Sequence, residues 1–478
     1  MRIFEFILVS FSVTTFLLAL FPSKLRVARI FSISIWGAFL AHLIFEGAHW
    51  QMVGFYLVAA FVFFALRFFP QVLVHSWASP IFVGLNFIAL MPLVLVPIFQ
   101  LPKPSGKYGI GYDTPNSLVD VRRNDIFTNE SGRSIVVQFY YPTDTKNGQD
   151  GRYVDKETSL SPLARLNHLP SFFFSHFKLV SLNASTRVPI AAGVGKLPLL
   201  IFSPGRGGFR NHNSVLVEEL VSQGYIIACI DHPSTVAGVA VWNQMLHDDE
   251  SQNINVALDA RMEGTMSAAW GDEVTKYLAQ DVSFLIDELK QQKIESDIHL
   301  SPSNQFDNYA NHIDFDKIGM FGVSLGGMTS AQACSADSRI KSCLIVDAYM
   351  PPTVLKNGIK QPVMILTRPP SDMIAEKWPI DVVALHQNTM HKIYEKASKD
   401  AYFLTIKGAF HANFSDAWLY VNQPLGRWLR FLGPTDGAII QDIVNQNTLA
   451  FFDKYLKGNR DEAIAQSQSD NNYTLIAK

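Results

Sequence analysis

The chain has little charge and almost no cysteine, and each scarcity excludes a class of protein. Only 17% of its 478 residues are Asp, Glu, Lys or Arg, and the formal net charge is −2. Such a chain, with no basic stripe interleaved with aromatic residues, is not expected to bind nucleic acid. Its three cysteines, Cys229, Cys334 and Cys343, lie in apolar stretches without a C-x-x-C pair. We therefore interpret them as buried packing thiols rather than as a disulfide framework or a metal site.

Hydrophobic residues make up 48% of the chain and are concentrated at its amino end. Four apolar stretches precede residue 102, the second and third being shorter than the roughly 20 residues that cross a bilayer. No small-residue cleavage site follows the first stretch, and three more come after it, so residues 1–101 are predicted to be a multi-span anchor rather than a signal peptide. The stretches run approximately over Ile3–Phe21, Ile30–Phe45, Met52–Phe69 and Pro80–Phe99.

Basic residues between the apolar stretches predict the orientation of this anchor. Lys24, Arg26 and Arg29 lie in the first connection and Arg67 in the third, whereas the second connection, residues 46–50, has no lysine or arginine. Because cytoplasmic connections carry the excess of positive charge, the first and third are expected inside the cell. The chain is thus predicted to be a multi-pass membrane protein whose carboxyl-terminal domain is extracytoplasmic.

Residues 102–458 have the pattern of a second, soluble domain. Pro, Gly, Lys and Asp become frequent from about residue 101, and strand signals then alternate with helix signals. This alternation is typical of a mostly parallel sheet covered by helices, so the predicted fold class is α/β. Residues 459–478 are polar, and we expect them to form a mobile tail.

A G-x-S-x-G pattern, Gly322–Gly326, lies between an apolar strand-like stretch, Ile318–Phe321, and a helix-compatible run, Met328–Ala336. A serine on a sharp turn from strand to helix needs small neighbours because its backbone packs closely against adjacent elements. The following helix start offers backbone N–H groups to a developing negative charge. Ser324 is therefore the candidate nucleophile.

The serine hydroxyl needs a base and an orienting carboxylate, which in this fold class follow in the order serine, acid, histidine. Asp347 ends the next buried strand and His411 follows a late one, and both positions are at carboxyl ends of strands, where α/β sheets place their sites. Asp372, after the intervening strand, stays open as an alternative acid. His232 precedes the serine in the sequence, so we expect it at most to contact residues of the site without taking part in the reaction.

Two backbone amides are candidates for the oxyanion hole. One belongs to Leu325, directly after the serine, and the other to Arg206, in the loop after the strand that ends at Ser203. That loop is glycine-rich, but it lacks the lysine-serine pair of a phosphate-binding loop. The guanidinium group of Arg206 either attracts an anionic group of the substrate or points to solvent, and the sequence leaves both interpretations open.

Together these residues resemble the plasma-type platelet-activating-factor acetylhydrolases and their bacterial relatives, serine esterases with an α/β-hydrolase fold. The similarity extends from about Gly106 to Leu456. The segments that carry it include Ser203-Pro204-Gly205-Arg206-Gly207-Gly208-Phe209-Arg210, Gly322-Val323-Ser324-Leu325-Gly326-Gly327, Val346-Asp347-Ala348-Tyr349 and His411-Ala412-Asn413-Phe414.

The resemblance implies hydrolysis of short or oxidised acyl chains from phospholipids, or of simple carboxylic esters, without a metal or cofactor. The predicted anchor places this site beside a lipid bilayer. The resemblance also favours Asp347 over Asp372 as the acid. The family commonly has histidine where Pro204 and Val323 stand, so the polar network around the serine must differ here. A thioesterase or peptidase with the same residues, and a non-catalytic membrane scaffold, are the alternatives.

Overall fold

The computed structural model describes residues 2–74, 78–113, 116–127, 131–145, 148–154, 158–233, 239–240, 268–297, 310–459 and 471–478. The amino-terminal part is a bundle of helices: α1 (Ile3–Ala19), α2 (Leu25–Phe45), α3 (Val53–Phe68), α4 (Pro70–Val74) and α5 (Ala78–Leu95).

The bundle is apolar on its inside and on its outside. Leu8, Phe55 and Val62 are fully buried between the helices, while outward-facing side chains such as Ile44 and Leu57 are about 73% and 67% exposed. A helix that is hydrophobic all round belongs in a protein core or a membrane. These faces have no protein partner among the described residues.

Two helical segments in the described part, Pro22–Phe45 and Trp50–Phe68, are long and apolar enough to cross a membrane by length and composition. The predicted first and fourth stretches form the shorter helices Ile3–Ala19 and Ser79–Leu95, so four spans are not confirmed. The predicted stretches included apolar residues that lie outside these helices in the structure, at residues 20–21 and 96–99. Conversely, α2 begins at Leu25, before the predicted stretch, and includes two of the basic residues.

The second part of the chain is built on a twelve-stranded mixed sheet. Its strands are β1 (Gly109–Tyr112), β2 (Asn116–Asn124), β3 (Ser131–Thr143), β4 (Gln149–Arg152), β6 (Ser181–Thr186), β7 (Leu197–Ser203), β8 (Ile226–Asp231), β10 (Ile313–Val323), β11 (Ile340–Val346), β12 (Val363–Thr367), β13 (Ala401–Ile406) and β14 (Tyr473–Ala477). The short strands β5 (Thr158–Ser159) and β9 (Val239–Ala240) pair separately.

The sheet order is β14-β13-β12-β11-β10-β7-β8-β3-β1-β6-β4, with β2 beside β3. From β8 to β13 all neighbours are parallel, and both edges contain antiparallel strands. The chain leaves β7 toward β8 on one side and returns to β10 on the other. The carboxyl ends of β7 and β10 therefore form a topological switch point, the usual place for a ligand crevice in such a sheet.

Helices cover both faces of the sheet and bury one apolar cluster on each side. They are α6 (Ser161–Leu166), α7 (Ser214–Ser222), α8 (Ala268–Asp297), α9 (Leu325–Ala336), α10 (Pro352–Asn357), α11 (Pro370–Ala375), α12 (Ile380–Lys396), α13 (Gln423–Trp428) and α14 (Gly437–Phe452). The central strands are buried on both faces, which explains their continuous hydrophobic sequence. The predicted α/β class is confirmed.

The carboxyl-terminal residues correct one expectation. Tyr473–Ala477 form β14, which pairs antiparallel with β13, so these residues are not a mobile tail. A polar edge strand exposed on one face has little hydrophobic signal, which is why the sequence pattern missed it. The other predicted tail residues from 460 to 470 lie outside the described part of the chain.

The structure also corrects the expectation about the cysteines. Cys334 in α9 and Cys343 in β11 form a disulfide, with their Cα atoms 6.3 Å apart, while Cys229 is a buried free thiol. The helix turns back onto its neighbouring strand and brings the two positions together, a contact that sequence spacing alone does not reveal. The prediction of packing thiols is wrong for this pair.

The bundle and the sheet domain share a packed junction. The indole Nε1 of Trp50 donates to the carbonyl of Phe173 at 2.8 Å, and the amide of Asn422 donates to the carbonyl of Leu95 at 2.8 Å. Phe172, about 55% exposed, contacts the same indole, whereas Phe174 and Phe177 are buried. Most of this aromatic segment therefore packs in the core rather than forming an exposed rim.

Candidate active site

Ser324 lies on the turn between β10 and α9, where the G-x-S-x-G pattern predicted a strained bend. Its φ of 57° and ψ of −120° are unfavourable for a residue with a side chain. A Cβ atom at Gly326 would overlap the carbonyl oxygen of Ser203, and one at Gly322 would overlap Gly326. Glycine is therefore required on both sides, and the turn leaves Ser324 partly exposed at the carboxyl edge of the sheet.

The loop after β7 packs directly against this turn. A Cβ atom at Gly205 would lie 3.3 Å from that of Ser324, so the two backbones are in contact. The amide of Gly208 donates to the carbonyl of Gly205 at 2.9 Å, and Gly207, with φ of 70°, takes the third position of this turn. The hydrogen bond that closes the turn thus uses the amide of Gly208 and not that of Arg206. Leu325, at the first position of α9, has an amide without an intrahelical acceptor.

Asp347 follows β11 directly and is completely buried. Its amide donates to the carbonyl of Leu366 at 2.7 Å, and the hydroxyl of Thr367 donates to its Oδ1 at 2.9 Å. Burial by itself raises the pKa of a carboxyl group, but the charge of Arg368 and the hydrogen bond from His411 outweigh it and lower the pKa of Asp347. The group is therefore a carboxylate at neutral pH.

His411 begins a short helical turn after β13. Its Nδ1–H donates to Oδ2 of Asp347 at 2.6 Å, because a carboxylate can only accept. This bond leaves Nε2 as the acceptor nitrogen of the neutral ring, and the side chain is about 28% exposed. The structure thus joins the predicted acid and base, with the candidate nucleophile at the same edge of the sheet. We call Ser324, Asp347 and His411 the elbow triad.

Asp372, the alternative acid, accepts a hydrogen bond from the backbone instead. Its Oδ2 accepts a hydrogen bond at 2.6 Å from the amide of Gly408, three residues before His411. Burial raises the pKa of Asp372, with the Gly408 amide and Arg368 acting in the opposite direction. No hydrogen bond between Asp372 and His411 occurs among the described residues. The geometry favours Asp347.

His232 belongs to a second serine–histidine–aspartate arrangement. Its Nδ1 lies 2.8 Å from Oδ2 of Asp281 and its Nε2 lies 3.0 Å from Oγ of Ser203. All three side chains are buried, so we call Ser203, His232 and Asp281 the buried triad. Because Ser203 ends β7 just before the Arg206 loop, this arrangement supports the loop from behind. The expected supporting place of His232 agrees with the geometry.

Several residues at the site gave no signal in the sequence. Arg368 pairs with Asp347 across 3.1 Å and also with Glu376, which accepts from the His411 amide at 3.2 Å. The Trp378 ring lies 5.3 Å from that of His411. An arginine in a proline-rich segment after a strand normally indicates a solvent-exposed turn, so the pattern concealed its burial.

His212 is another neighbour that sequence reasoning missed. Its ring stacks between those of Phe209 and Tyr420, with centroid distances of 5.5 and 5.7 Å. Burial and the neighbouring His411 lower the pKa of His212 to about 4. The ring is therefore neutral at pH 7 and presents an uncharged polar group near the elbow triad.

One group of potential metal ligands occurs in the described residues, at the end of the bundle. Carboxylate and imidazole atoms of Glu5, His42 and Glu46 lie within 4.8 Å of one another. Hydrogen bonds already use them: Glu46 accepts from the amide of Glu5, and Nε2 of His42 lies 2.6 Å from the hydroxyl of Tyr56. This group is separate from the elbow triad, whose residue types suit acyl transfer by nucleophilic attack.

Comparison with solved structures supports the observed architecture. A ferulic acid esterase from Streptomyces cinnamoneus has a solved structure that matches with a TM-score of 0.57 at 19% identity, over 79% of this chain and 99% of that one. At this identity the match shows the fold alone, a mixed α/β sheet covered by helices as in that esterase.

Sequence comparison defines the family. The model of platelet-activating factor acetylhydrolase, isoform II, matches residues 95–474. The acetylhydrolase of Cavia porcellus is 26% identical over 74% of this chain and 78% of its own length, and that of Canis lupus familiaris is 25% identical over 77% and 80%. The chain belongs to the platelet-activating factor acetylhydrolase isoform II family, and it is a carboxylic ester hydrolase.

Proposed function

We propose that the chain is a membrane-tethered serine hydrolase that removes short or oxidised acyl chains from phospholipids through the elbow triad. The observation that carries the proposal is the 2.6 Å hydrogen bond between His411 and the buried carboxylate of Asp347, beside a strained, accessible Ser324. The phospholipid substrate rests on the family, whose relatives are named for platelet-activating factor.

The steps follow from the residues. Oγ of Ser324 attacks the ester carbonyl while Nε2 of His411 takes its proton, and Asp347 stabilises the imidazolium that forms. The amides of Leu325 and Arg206 donate to the tetrahedral oxyanion. His411 then gives its proton to the departing alcohol, leaving an acyl group on Ser324. Water, deprotonated by His411, releases the acid and regenerates the serine.

The arrangement of the bundle supports a tether of four spans. The amide of Phe4, at the start of α1, donates to Glu46 after α2, and Gln51, before α3, donates to the carbonyl of Val96 after α5. The start of α1, the end of α2, the start of α3 and the end of α5 therefore lie together, on the side of the sheet domain. Lys24, between α1 and α2, and Arg26 and Arg29, at the start of α2, lie at the other end, as expected for a cytoplasmic side.

Two further observations support an extracytoplasmic, lipid-facing site. The disulfide between Cys334 and Cys343 is the kind of bond that persists in oxidising compartments. Large apolar side chains are exposed on α11 and α13, with Ile374 about 52% and Trp428 about 78% exposed. Exposed apolar groups of this size suit contact with an amphiphilic substrate or its bilayer.

A substrate series on the detergent-solubilised full chain tests the function. We expect kcat/KM for p-nitrophenyl esters to fall steeply as the acyl chain lengthens beyond acetate and butyrate. At equal acyl length, a phosphocholine glycerolipid should be preferred over the simple ester. Ser324→Ala is the control and should be inactive on every substrate.

Other outcomes separate the alternatives. Equal rates with and without the phosphocholine group would indicate a general carboxylesterase, and faster cleavage of acyl thioesters or peptides would move the chain to those classes. Turnover retained by Ser324→Ala would overturn the role of the elbow triad.

Protease treatment of intact cells tests the tether. The sheet domain should be accessible from outside, and alkylation under denaturing conditions should label Cys229 but not Cys334 or Cys343. A protected domain with three free thiols would place the site in the cytoplasm.

A further inference from the structure

The carboxylate of the elbow triad has a second cation beside it. Oδ2 of Asp347 lies 2.6 Å from Nδ1 of His411 and 3.1 Å from Nε of Arg368. Asp347 and Arg368 are both completely buried. Burying an ion pair costs desolvation free energy that well-packed apolar residues would avoid, so a buried arginine at this position requires an explanation.

Arg368 also contacts two residues, Glu376 and Trp378, that contact His411. Its Nη1 pairs with Oε2 of Glu376, and the same oxygen accepts a hydrogen bond from the amide of His411 at 3.2 Å. Its guanidinium carbon lies 4.6 Å from the centre of the Trp378 ring, which also contacts the rings of His411 at 5.3 Å and His386 at 4.9 Å. Arg368 thus connects the acid of the triad with the backbone and the ring of the base.

Resting on the catalytic roles proposed above, we propose that Arg368 is a positioning residue of this hydrolase. It keeps Asp347 ionised and directed at His411, and its charge, partly balanced by Glu376, sets the pH below which His411 no longer accepts the serine proton.

The charged and titratable groups around Asp347 come from five parts of the fold. Asp347 faces Arg368 after β12, His411 after β13 and His386 on α12. Asp372 and Glu376 face Arg368 from α11 and its end. His212, in the loop after β7, faces His411.

The sign of each charge then fixes the direction of the pH effect. Without the arginine charge, the negative charge of Asp347 acts on His411 unopposed by a neighbouring cation, so the protonated base is favoured and activity is lost at a higher pH. Without the Glu376 charge, the arginine acts on Asp347 less opposed, so activity survives to a lower pH. Two neighbouring substitutions therefore have opposite predicted effects.

The test is the acid side of the pH profile of kcat/KM for p-nitrophenyl acetate, measured on the detergent-solubilised full chain. Arg368→Met should raise the pH of half-maximal activity by about one unit and lower the plateau about tenfold. Arg368→Lys should keep the midpoint, because the charge stays, but lose plateau activity with the planar guanidinium. Glu376→Gln should lower the midpoint because it removes the negative charge beside Arg368. The glutamine side chain still accepts a hydrogen bond from the His411 amide, so the backbone contact is kept.

Arg339→Met is the matched control. This arginine pairs with Asp337 and Asp287 at 2.6 and 2.5 Å, away from the triad, so its removal should change neither midpoint nor plateau. Titration with a fluorophosphonate normalises each rate to the amount of folded enzyme.

Unmoved midpoints in Arg368→Met and Glu376→Gln, or midpoints that move in the same direction, would overturn the inference. If Arg368→Met does not fold, Glu376→Gln decides alone, and an unmoved or raised midpoint counts against the inference. Ser324→Ala in the same assay separates the two proposals. Activity in that variant contradicts the proposed function, whereas an inactive Ser324→Ala with unmoved midpoints contradicts only the role of Arg368.

Discussion

The elbow triad and the buried triad contain the same three residue types at the same edge of one sheet, yet only one has the geometry of a reaction site. Ser324 has a left-handed backbone on a turn with access to solvent, whereas Ser203 is the fully buried last residue of a regular strand. The amide of Leu325 follows the first serine, and the loop that contains Arg206 packs against this turn. Residue identity and a serine–histidine contact are therefore insufficient, because a substrate carbonyl also needs space and oxyanion donors.

The two carboxylates differ in the same way. Asp347 is shared between His411 and one arginine, while Asp281 receives Arg133 at 2.9 Å and Arg123 at 2.6 Å in addition to His232. Burial by itself would raise the pKa of Asp281, but the charge of Arg133 and the hydrogen bond from His232 outweigh it and lower this pKa. The buried triad is thus an ionic support for β7 and the Arg206 loop, and the elbow triad is the proposed centre of chemistry.

The largest expected effect separates the two serines. Ser324→Ala should lower kcat for p-nitrophenyl acetate by about 10⁴-fold or more, because the nucleophile is lost. Ser203→Ala should cost at most about tenfold, since it only loosens the support of the Arg206 loop. A fluorophosphonate should label the wild type and Ser203→Ala but not Ser324→Ala. Labelling of Ser203 would remove the distinction between the triads.

The next effect separates the two aspartates. Asp347→Asn should lower kcat by about 10³- to 10⁴-fold with a small change in melting temperature, because the asparagine disfavours the required tautomer of His411. Asp281→Asn should instead destabilise the domain by about 3–5 kcal/mol, because Arg133 and Arg123 each lose a carboxylate partner, whereas Asp347→Asn removes one from Arg368 alone. Thermal unfolding and kinetics of the full chain in detergent measure both. Asp372→Asn is the control, and a larger kinetic loss there than in Asp347→Asn would move the acid.

The smallest effect concerns a neutral histidine beside the elbow triad. Burial lowers the pKa of His386 from 6.5 to about 4. The unfolded chain therefore binds a proton at higher pH than the folded chain, and this group removes stability as pH falls from about 6.5 toward 4. His386→Gln should reduce the loss of stability between pH 7 and pH 5 by about 1–2 kcal/mol. Melting temperatures at the two pH values measure it, with exposed His168→Gln as the control. Equal losses in both variants would contradict the assignment.

The local pattern at the nucleophile was predictable because it depends on neighbours in the chain. Strand, glycine-flanked serine and helix follow one another, and steric exclusion at Gly326 enforces the turn. Asp347 and His411 could be placed by their position after buried strands, because parallel strands bring their carboxyl ends to one edge. Their direct hydrogen bond was a prediction that the geometry supports, while their catalytic roles remain proposals.

Other features depend on contacts between distant segments. The pairing of β14 with β13 and the disulfide between Cys334 and Cys343 contradicted the sequence expectations. Two of the four predicted spans proved shorter as helices, because a window of apolar residues does not show where a helix ends. In each case the sequence shows only the local composition, whereas strand pairing, disulfide formation and helix ends depend on contacts between segments in the folded chain.

The sequence by itself determined the α/β class and the glycine-flanked serine, because strand periodicity and turn sterics act over short stretches of chain. The family followed from the resemblance of its motifs. Only the tertiary structure decided which serine–histidine–aspartate set is open and which is buried. It also decided that Arg368 lies against Asp347. Burial and the balance of charges arise from segments that are far apart in sequence, and these quantities distinguish a structural ion network from a candidate active site.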